Sequence, residues 1–228
     1  EMIIDAAKNE CFEAIFDEGE NLTNSDQNLI YQAAKSGISE ACLKYGKYII
    51  KSNVNKGRYF LKLCANEIPE AEYVLSCYSE NIESQMKHLK KAADKGFVKA
   101  LHSYGLKKYN EGNIDEAIKY FKKDFSDSSS LLYLAHCLFL KTNKKIECTK
   151  YIKLAFESFN SFSFIPYGIC LFYGFGLNKN ENEAEKVFRQ SASKFDFLGI
   201  YNLAVCMENG IGTKKMNKND VFSYLINQ

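Results

Sequence analysis

The chain has 228 residues, of which 46% are hydrophobic, and 30 Lys and Arg residues against 28 Asp and Glu residues give a formal net charge of +2. Because the two signs are interspersed, the sequence does not predict binding to nucleic acid. No apolar run approaches the roughly 18 residues of a membrane-spanning helix, and the scarcity of proline, two residues in all, suits a helical protein.

Along the chain, one frame of the form Ala-Ala-x-x-Gly-x-x-x-Ala recurs about every thirty residues. It is plainest in the segments that begin at Ala6, Ala33 and Ala92, and sliding it along the sequence locates seven copies. A unit of this length cannot bury its own apolar face and must stack on its neighbours, so the period predicts a helical solenoid. The residues in the glycine position, which we call the anchors, are Glu10, Gly37, Glu67, Gly96, Ser128, Phe159 and Phe195.

Small and large residues keep a fixed register to the anchors. A small residue inside a helix marks the close approach of a second helix, and a large apolar residue fills the groove beside it. Nine residues after the anchors stand Gly19, Gly46, Ser76, Gly105, Cys137, Gly168 and Ala204. Seven residues before them stand Ile3, Ile30, Phe60, Leu89, Phe121, Ile152 and Phe188.

Each copy is predicted to form two antiparallel helices, A and then B. In the copy anchored at Gly96, helix A spans Phe97 to Asn110 and ends at Gly112. Asn113 is the N-cap of helix B, with Glu116 in the capping-box position. Asn180 and Glu183 repeat this signal. The segment 220–227 matches a helix B without a following helix A, so we expect seven pairs, an incomplete eighth, and chain ends that are cut points in a longer protein.

This frame resembles the SEL-one-like repeat (SLR), a relative of the tetratricopeptide repeat. Three further segments carry the resemblance: Tyr-Gly-Phe-Gly at 173–176, Asn-Gly-Ile-Gly at 209–212 and Ala-x-x-Tyr-Phe at 117–121. It implies an all-α, right-handed superhelical solenoid of antiparallel helix pairs. The whole chain, 1–228, is expected to form a single array with the A helices on the concave side.

In cysteine-rich secreted members of that family, disulfides join the second Ala of the frame to the residue after its last Ala. No copy carries both cysteines here, so we expect a reduced, intracellular and cytoplasmic protein. The sequon at Asn21 leaves the endoplasmic reticulum lumen or secretion open as an alternative. The position pairs are Ala34 with Cys42, Cys64 with Glu72, and Ala93 with Leu101.

The sequence contains no recognisable catalytic or metal-binding motif. Nucleophile elbows, Walker loops and dinucleotide-binding glycine motifs are all missing. His136 precedes Cys137, but no second pair completes a metal site, and a structural role is favoured. We therefore expect no enzyme activity, no cofactor, no metal and no small-molecule substrate. The cysteines predicted to face the buried side of the A helices are Cys77, Cys137, Cys170 and Cys206.

The resemblance implies that function resides in the surface of the A helices. We expect a scaffold or adaptor that binds partner proteins or peptides, with no nucleic-acid partner. Aromatic side chains would anchor the partner and polar ones would fix its register. The alternative is a targeting or regulatory module of a larger enzyme, such as a kinase. The predicted partner-binding residues are Glu40, Lys44, Tyr73, Lys99, His102, Tyr109, Tyr201 and Asn202.

Overall fold

A computed structural model describes residues 24–142 and 144–226 of the chain. The predictions that fall on Ile3, Glu10, Gly19 and the sequon at Asn21 lie outside these residues. The contacts divide the chain into two compact units, residues 1–104 and 105–228, with the boundary inside one helix. The expectation of a single array over 1–228 stays a prediction.

The described part of the chain has the predicted all-α fold, with helices joined by short turns and no strand. None of the described helices is both long enough and apolar enough to cross a membrane. The helices of unit 1 are α1 (Asn24–Lys35), α2 (Ser39–Ile49), α3 (Val54–Cys64), α4 (Pro69–Cys77) and α5 (Ile82–Asp94), and α6 (Val98–Asn110) passes through the boundary. Unit 2 continues with α7 (Ile114–Phe121), α8 (Ser128–Thr142), α9 (Lys145–Glu157), a 3-10 turn (Ser161–Ser163), α10 (Phe164–Tyr173), α11 (Glu181–Ala192), α12 (Phe197–Asn209) and α13 (Lys218–Ile226).

Asparagine caps begin most of the B helices. The Asn113 side chain accepts a hydrogen bond from the Glu116 amide at 3.2 Å, and Asn180 accepts one from the Glu183 amide at 3.1 Å. Asn53 and Asn81 cap α3 and α5 in the same way. Each cap satisfies one of the amide groups that lack a partner in the first helical turn. The predicted starts of α7 and α11, at Asn113 and Asn180, are thus confirmed.

The small-residue register places helix A against helix B within a copy. A Cβ atom built on Gly168 would lie 2.4 Å from the Phe188 ring, and one on Gly105 would lie 2.8 Å from the Phe121 ring. Both distances are far below van der Waals contact, so only glycine fits the observed separation. Phe121 and Phe188 are both fully buried, as the register predicts.

Two anchors keep the left-handed backbone of a glycine without being glycine. Gly37 and Gly96 end α1 and α5 with φ of +83°. Phe159 and Phe195 occupy the same place after α9 and α11 with φ of +57° and +60°. This conformation costs a residue with a Cβ atom about 1–2 kcal/mol. Both phenylalanine side chains lie mostly in solvent.

Each unit has its own apolar core. In unit 1, Tyr45 packs edge-on against Phe60 with ring centroids 4.9 Å apart. The buried Glu72 carboxylate lies 2.6 Å from Nδ1 of His88 and 3.5 Å from Nζ of Lys91, so its charge is paired. The core residues of unit 2 include Phe121, Leu134, Leu138, Phe164, Val187, Phe188, Leu203 and Met207.

Three of the four cysteines predicted to be buried are so: Cys137, Cys170 and Cys206. The prediction for Cys77 is wrong, because its side chain is exposed. Cys77 stands ten residues after its anchor, Glu67, and the residues at this position of α2 and α10, Lys47 and Ile169, are exposed as well. The three buried cysteines stand nine or eleven residues after their anchors.

Candidate partner-binding groove

The A helices of unit 2 present large apolar side chains to solvent. On α8, Phe139 is 43% exposed, and on α10, Ile169 is 40% and Tyr173 73% exposed. Isolated exposed apolar residues are ordinary, but a contiguous group of them marks an interaction surface. The three residues line one groove.

This groove, of about 490 Å³, lies between two successive A helices. Helices α8 and α10 form its walls, and the intervening α9 contributes Cys148 and Ile152. Because its walls are substantially exposed side chains, it is a surface trough and not an enclosed cavity. The remaining lining residues are Leu132, Ala135, His136, Phe139, Pro166, Ile169, Cys170, Tyr173 and Phe175.

One end of the groove is held by the Tyr-Gly-Phe-Gly turn that follows α10. Gly174 ends α10 in the left-handed conformation. A Cβ atom on Gly176 would lie 2.4 Å from the Lys145 carbonyl oxygen, so the turn rests directly on the start of α9. The Thr149 hydroxyl donates a hydrogen bond to the Phe175 carbonyl at 2.8 Å. These contacts place the centroid of the Phe175 ring 5.8 Å from the centroid of the Phe139 ring, across the groove.

The groove contains few polar groups, and none of its lining residues is Asp, Glu, Lys or Arg. The Tyr109 hydroxyl lies 2.7 Å from Nδ1 of His136, at hydrogen-bond distance. Burial raises the pKa of Tyr109 and of the Cys148 and Cys170 thiols, so these groups stay neutral at pH 7. Such a surface is suited to binding the apolar side chains of a partner.

His136, for which the sequence favours a structural role, lies on the wall of the groove. Its side chain is exposed and contacts Tyr109, and its role stays a prediction. The residues eight positions after the anchors of α2, α6 and α12, which are Tyr45, Tyr104 and Leu203, are buried, whereas His136 in the same position of α8 is exposed. The pattern of burial on α8 therefore differs from that of these A helices.

The predicted partner-binding residues of unit 1 lie on α2, α4 and α6. Glu40 and Lys99 are exposed, and Lys44, Tyr73 and His102 are half-buried. The Tyr73 ring packs on Phe97 with centroids 5.2 Å apart. Their role in binding stays a prediction.

In unit 2, only Tyr109 approaches the groove, through its bond to His136. Tyr201 and Asn202 lie on α12, where the Asn202 amide group donates to the Leu198 carbonyl of the same helix. None of the predicted residues is among those that line the groove. Ile169 stands ten residues after its anchor, Phe159, and could have been found from the repeat frame alone.

The helix pairs, the positive-φ anchors and the glycine-mediated contacts define an all-α helical-repeat fold. No family model matches the sequence, and no curated protein matches it. Among solved structures, the chain is similar to a protective antigen of uropathogenic Escherichia coli with an SLR fold, with a TM-score of 0.74 and 23% identity over 89% of this chain. It is also similar to a Sel1 repeat protein from Oxalobacter formigenes, with a TM-score of 0.63 and 19% identity over 89% of this chain.

The chain covers 48% of the E. coli structure and 82% of the Oxalobacter structure, so it spans about half the length of the former. These similarities confirm the predicted SEL-one-like repeat fold.

Proposed function

We propose that this chain is a non-enzymatic protein-binding module, a scaffold or adaptor, and that unit 2 holds a segment of its partner in the groove between α8 and α10. The observation that carries the proposal is the apolar trough itself, about 490 Å³ in volume and without an ionisable carboxylate or amine in its lining. In a larger enzyme, the same groove would serve as a targeting site.

Apolar side chains of a partner provide enough energy for such binding. Burying one Leu or Phe side chain contributes about 1.5–3 kcal/mol. One such anchor could lie over Ile169 and a second between Phe139 and Phe175. Together they would offset part of the free-energy cost of the entropy lost on association. Affinities in the micromolar range are what we expect from a surface of this size.

The predicted residues of the other A helices are proposed to extend this surface. Tyr201 and Asn202 would do so on α12 of unit 2, whereas Tyr73 and Lys99 are proposed as partner contacts of unit 1 by itself. Tyr201 is 65% exposed and has the apolar ring with a polar tip that recurs at binding sites.

The experiment is a selection from a displayed library of random twelve-residue peptides. It is run on the wild-type chain and on Ile169→Lys, which places a charge on the wall of the groove. Leu63→Lys is the matched control, because Leu63 is an exposed leucine of α3, 50% exposed, far along the chain from the groove. Circular dichroism is used to check that all three proteins have the same helix content.

We expect peptides rich in large apolar residues to be enriched on the wild type and on Leu63→Lys, and to bind Ile169→Lys at least about ten-fold more weakly. That factor corresponds to about 1.4 kcal/mol. Equal enrichment on all three proteins would overturn the proposal, because the selected peptides would then bind elsewhere.

A further inference from the structure

We propose that the bound segment combines apolar residues, which lie along α10, with acidic residues at the end that meets the start of α9. This inference rests on the proposed function and adds the chemistry and the orientation of the ligand. It comes from two depressions that adjoin the groove, one at each end of α10.

The first depression continues the groove toward the start of α10. It has a volume of about 580 Å³ and shares Pro166 with the groove. Phe162, which is 80% exposed, and Leu198, which is 59% exposed, stand on its sides. Its charged lining residues, Lys194 and Asp196, are one of each sign. This end is therefore apolar with balanced charge.

The second depression begins at the turn that closes the groove. Tyr173 and Phe175 line the groove, whereas the alternate residues of the same turn, Gly174 and Gly176, line the depression. The two surfaces meet where Lys145, which lines the depression, contacts the ring of Phe175, which lines the groove. The depression has a volume of about 960 Å³.

This second depression is basic. Lys144, Lys145 and Lys150 line it together with one acidic residue, Glu147. The Lys145 ammonium lies 5.3 Å from the centroid of the Phe175 ring, which places a positive charge where the apolar groove ends. The neutral residues of its lining are Ile146, Leu177 and Asn178 besides the two glycines.

The three surfaces form one track with an apolar middle, a charge-balanced end and a basic end. Helix α10 has ten residues and is therefore about 15 Å long. An extended chain rises about 3.3 Å per residue, so five residues would span α10 and about eight would reach both depressions.

Charge complementarity identifies the occupant. A peptide with apolar side chains alone would leave the basic end unused, and a basic peptide would be repelled there. An acidic end would gain Coulomb attraction from three lysines against the repulsion of one glutamate. Because exposed ion pairs are individually weak, we expect the acidic end to increase affinity only about ten-fold in total. This gain should shrink at high salt.

The test uses the same random displayed library, selected on the wild type, on Lys145→Glu/Lys150→Glu, and on Lys214→Glu/Lys215→Glu as a control. The control makes the same charge change at two exposed lysines in the turn after α12. Synthetic versions of the enriched peptides are then measured by fluorescence anisotropy at 0.1 M and 0.5 M salt.

We expect the wild type and the control to enrich peptides with an apolar stretch and Asp or Glu at one end. Lys145→Glu/Lys150→Glu should bind those peptides about ten-fold or more weakly at 0.1 M salt and should select Lys or Arg at that end instead. This inference would be overturned if the enriched peptides depend on the groove but carry no preference for acidic residues. It would also be overturned if they carry that preference and Lys145→Glu/Lys150→Glu leaves it intact. In both cases the proposed function would stand. Enrichment that is insensitive to Ile169→Lys would overturn both.

Discussion

Gly168 offers a sharp test of how the helices of unit 2 pack. A Cβ atom at this position would lie 2.4 Å from Cε1 and 2.9 Å from Cδ1 of Phe188. Carbon atoms in good contact are about 3.5–4.0 Å apart. Phe188 is 1% exposed and surrounded by core residues, so its ring has no free space to enter.

Two opposing effects decide the outcome of Gly168→Ala. In an unhindered helix interior, the change would stabilise the fold by about 1 kcal/mol. Overpacking a filled core costs about 1–3 kcal/mol, and the 2.4 Å approach places this site at the upper end. We therefore expect a net loss of about 2 kcal/mol, which for a chain of this size lowers Tm by about 4–8 °C.

The assay is urea unfolding followed by circular dichroism, for Gly168→Ala, Phe188→Leu and the double variant. Leucine lacks the outer ring atoms that the new methyl group would meet. The double variant should therefore be more stable than the sum of the single changes predicts, by about 1 kcal/mol. A Gly168→Ala protein that is more stable than the wild type, or a strictly additive double variant, would refute the proposed close contact.

Three further predictions concern the anchors and the thiols. Phe195→Gly should stabilise the fold by up to about 1 kcal/mol in urea unfolding, because glycine adopts the positive φ without strain. Part of this gain is offset, since glycine also raises the conformational entropy of the unfolded chain. Ala34→Cys should form a disulfide with Cys42, whose Sγ atom lies 3.3 Å from the Ala34 carbonyl oxygen. Urea unfolding should show a free energy of unfolding about 2 kcal/mol higher for the oxidised protein than for the reduced one. Burial raises the pKa of Cys137 to about 11, so the protonated thiol favours the folded state. Stability should therefore fall as pH rises from about 9 to 11, and less steeply in Cys137→Ala.

Each of these predictions has its own contradicting result. A less stable Phe195→Gly protein would mean that the phenylalanine ring has a packing role despite its exposure. Failure of Ala34→Cys to lose two thiols in an Ellman titration after oxidation would mean that the two Cβ atoms are too far apart. An unchanged pH slope in Cys137→Ala would mean that other groups cause the alkaline decline.

The sequence predicted the helix pairs well because their determinants are local and periodic. Asn113 and Asn180 act as caps through amides three residues away, and such contacts depend on spacing alone. The glycine register also follows from the repeat, since Gly105 and Gly168 each stand nine residues after an anchor, and each meets the phenylalanine that stands seven residues before the next anchor. These features require no knowledge of how successive copies stack.

The groove was harder to predict because it depends on which face of each helix its neighbours leave uncovered. His136 on α8 is exposed in the groove, whereas Tyr104 and Leu203, at the same place in their copies, are buried. The repeat frame assumes one pattern of burial for all copies and therefore misses this difference. The exposure of Cys77 could have been predicted, because it stands ten residues after its anchor, where Lys47 and Ile169 are also exposed.

The most direct test of the groove as the binding site is amide chemical-shift mapping by NMR, with the labelled chain titrated with a synthetic copy of the most enriched peptide. We predict that the largest shifts fall on α8, on α10 and on residues 174–178, and that Leu63→Lys leaves them unchanged. Shifts confined to α1–α5, or spread evenly over the chain, would contradict the assignment of binding to this groove.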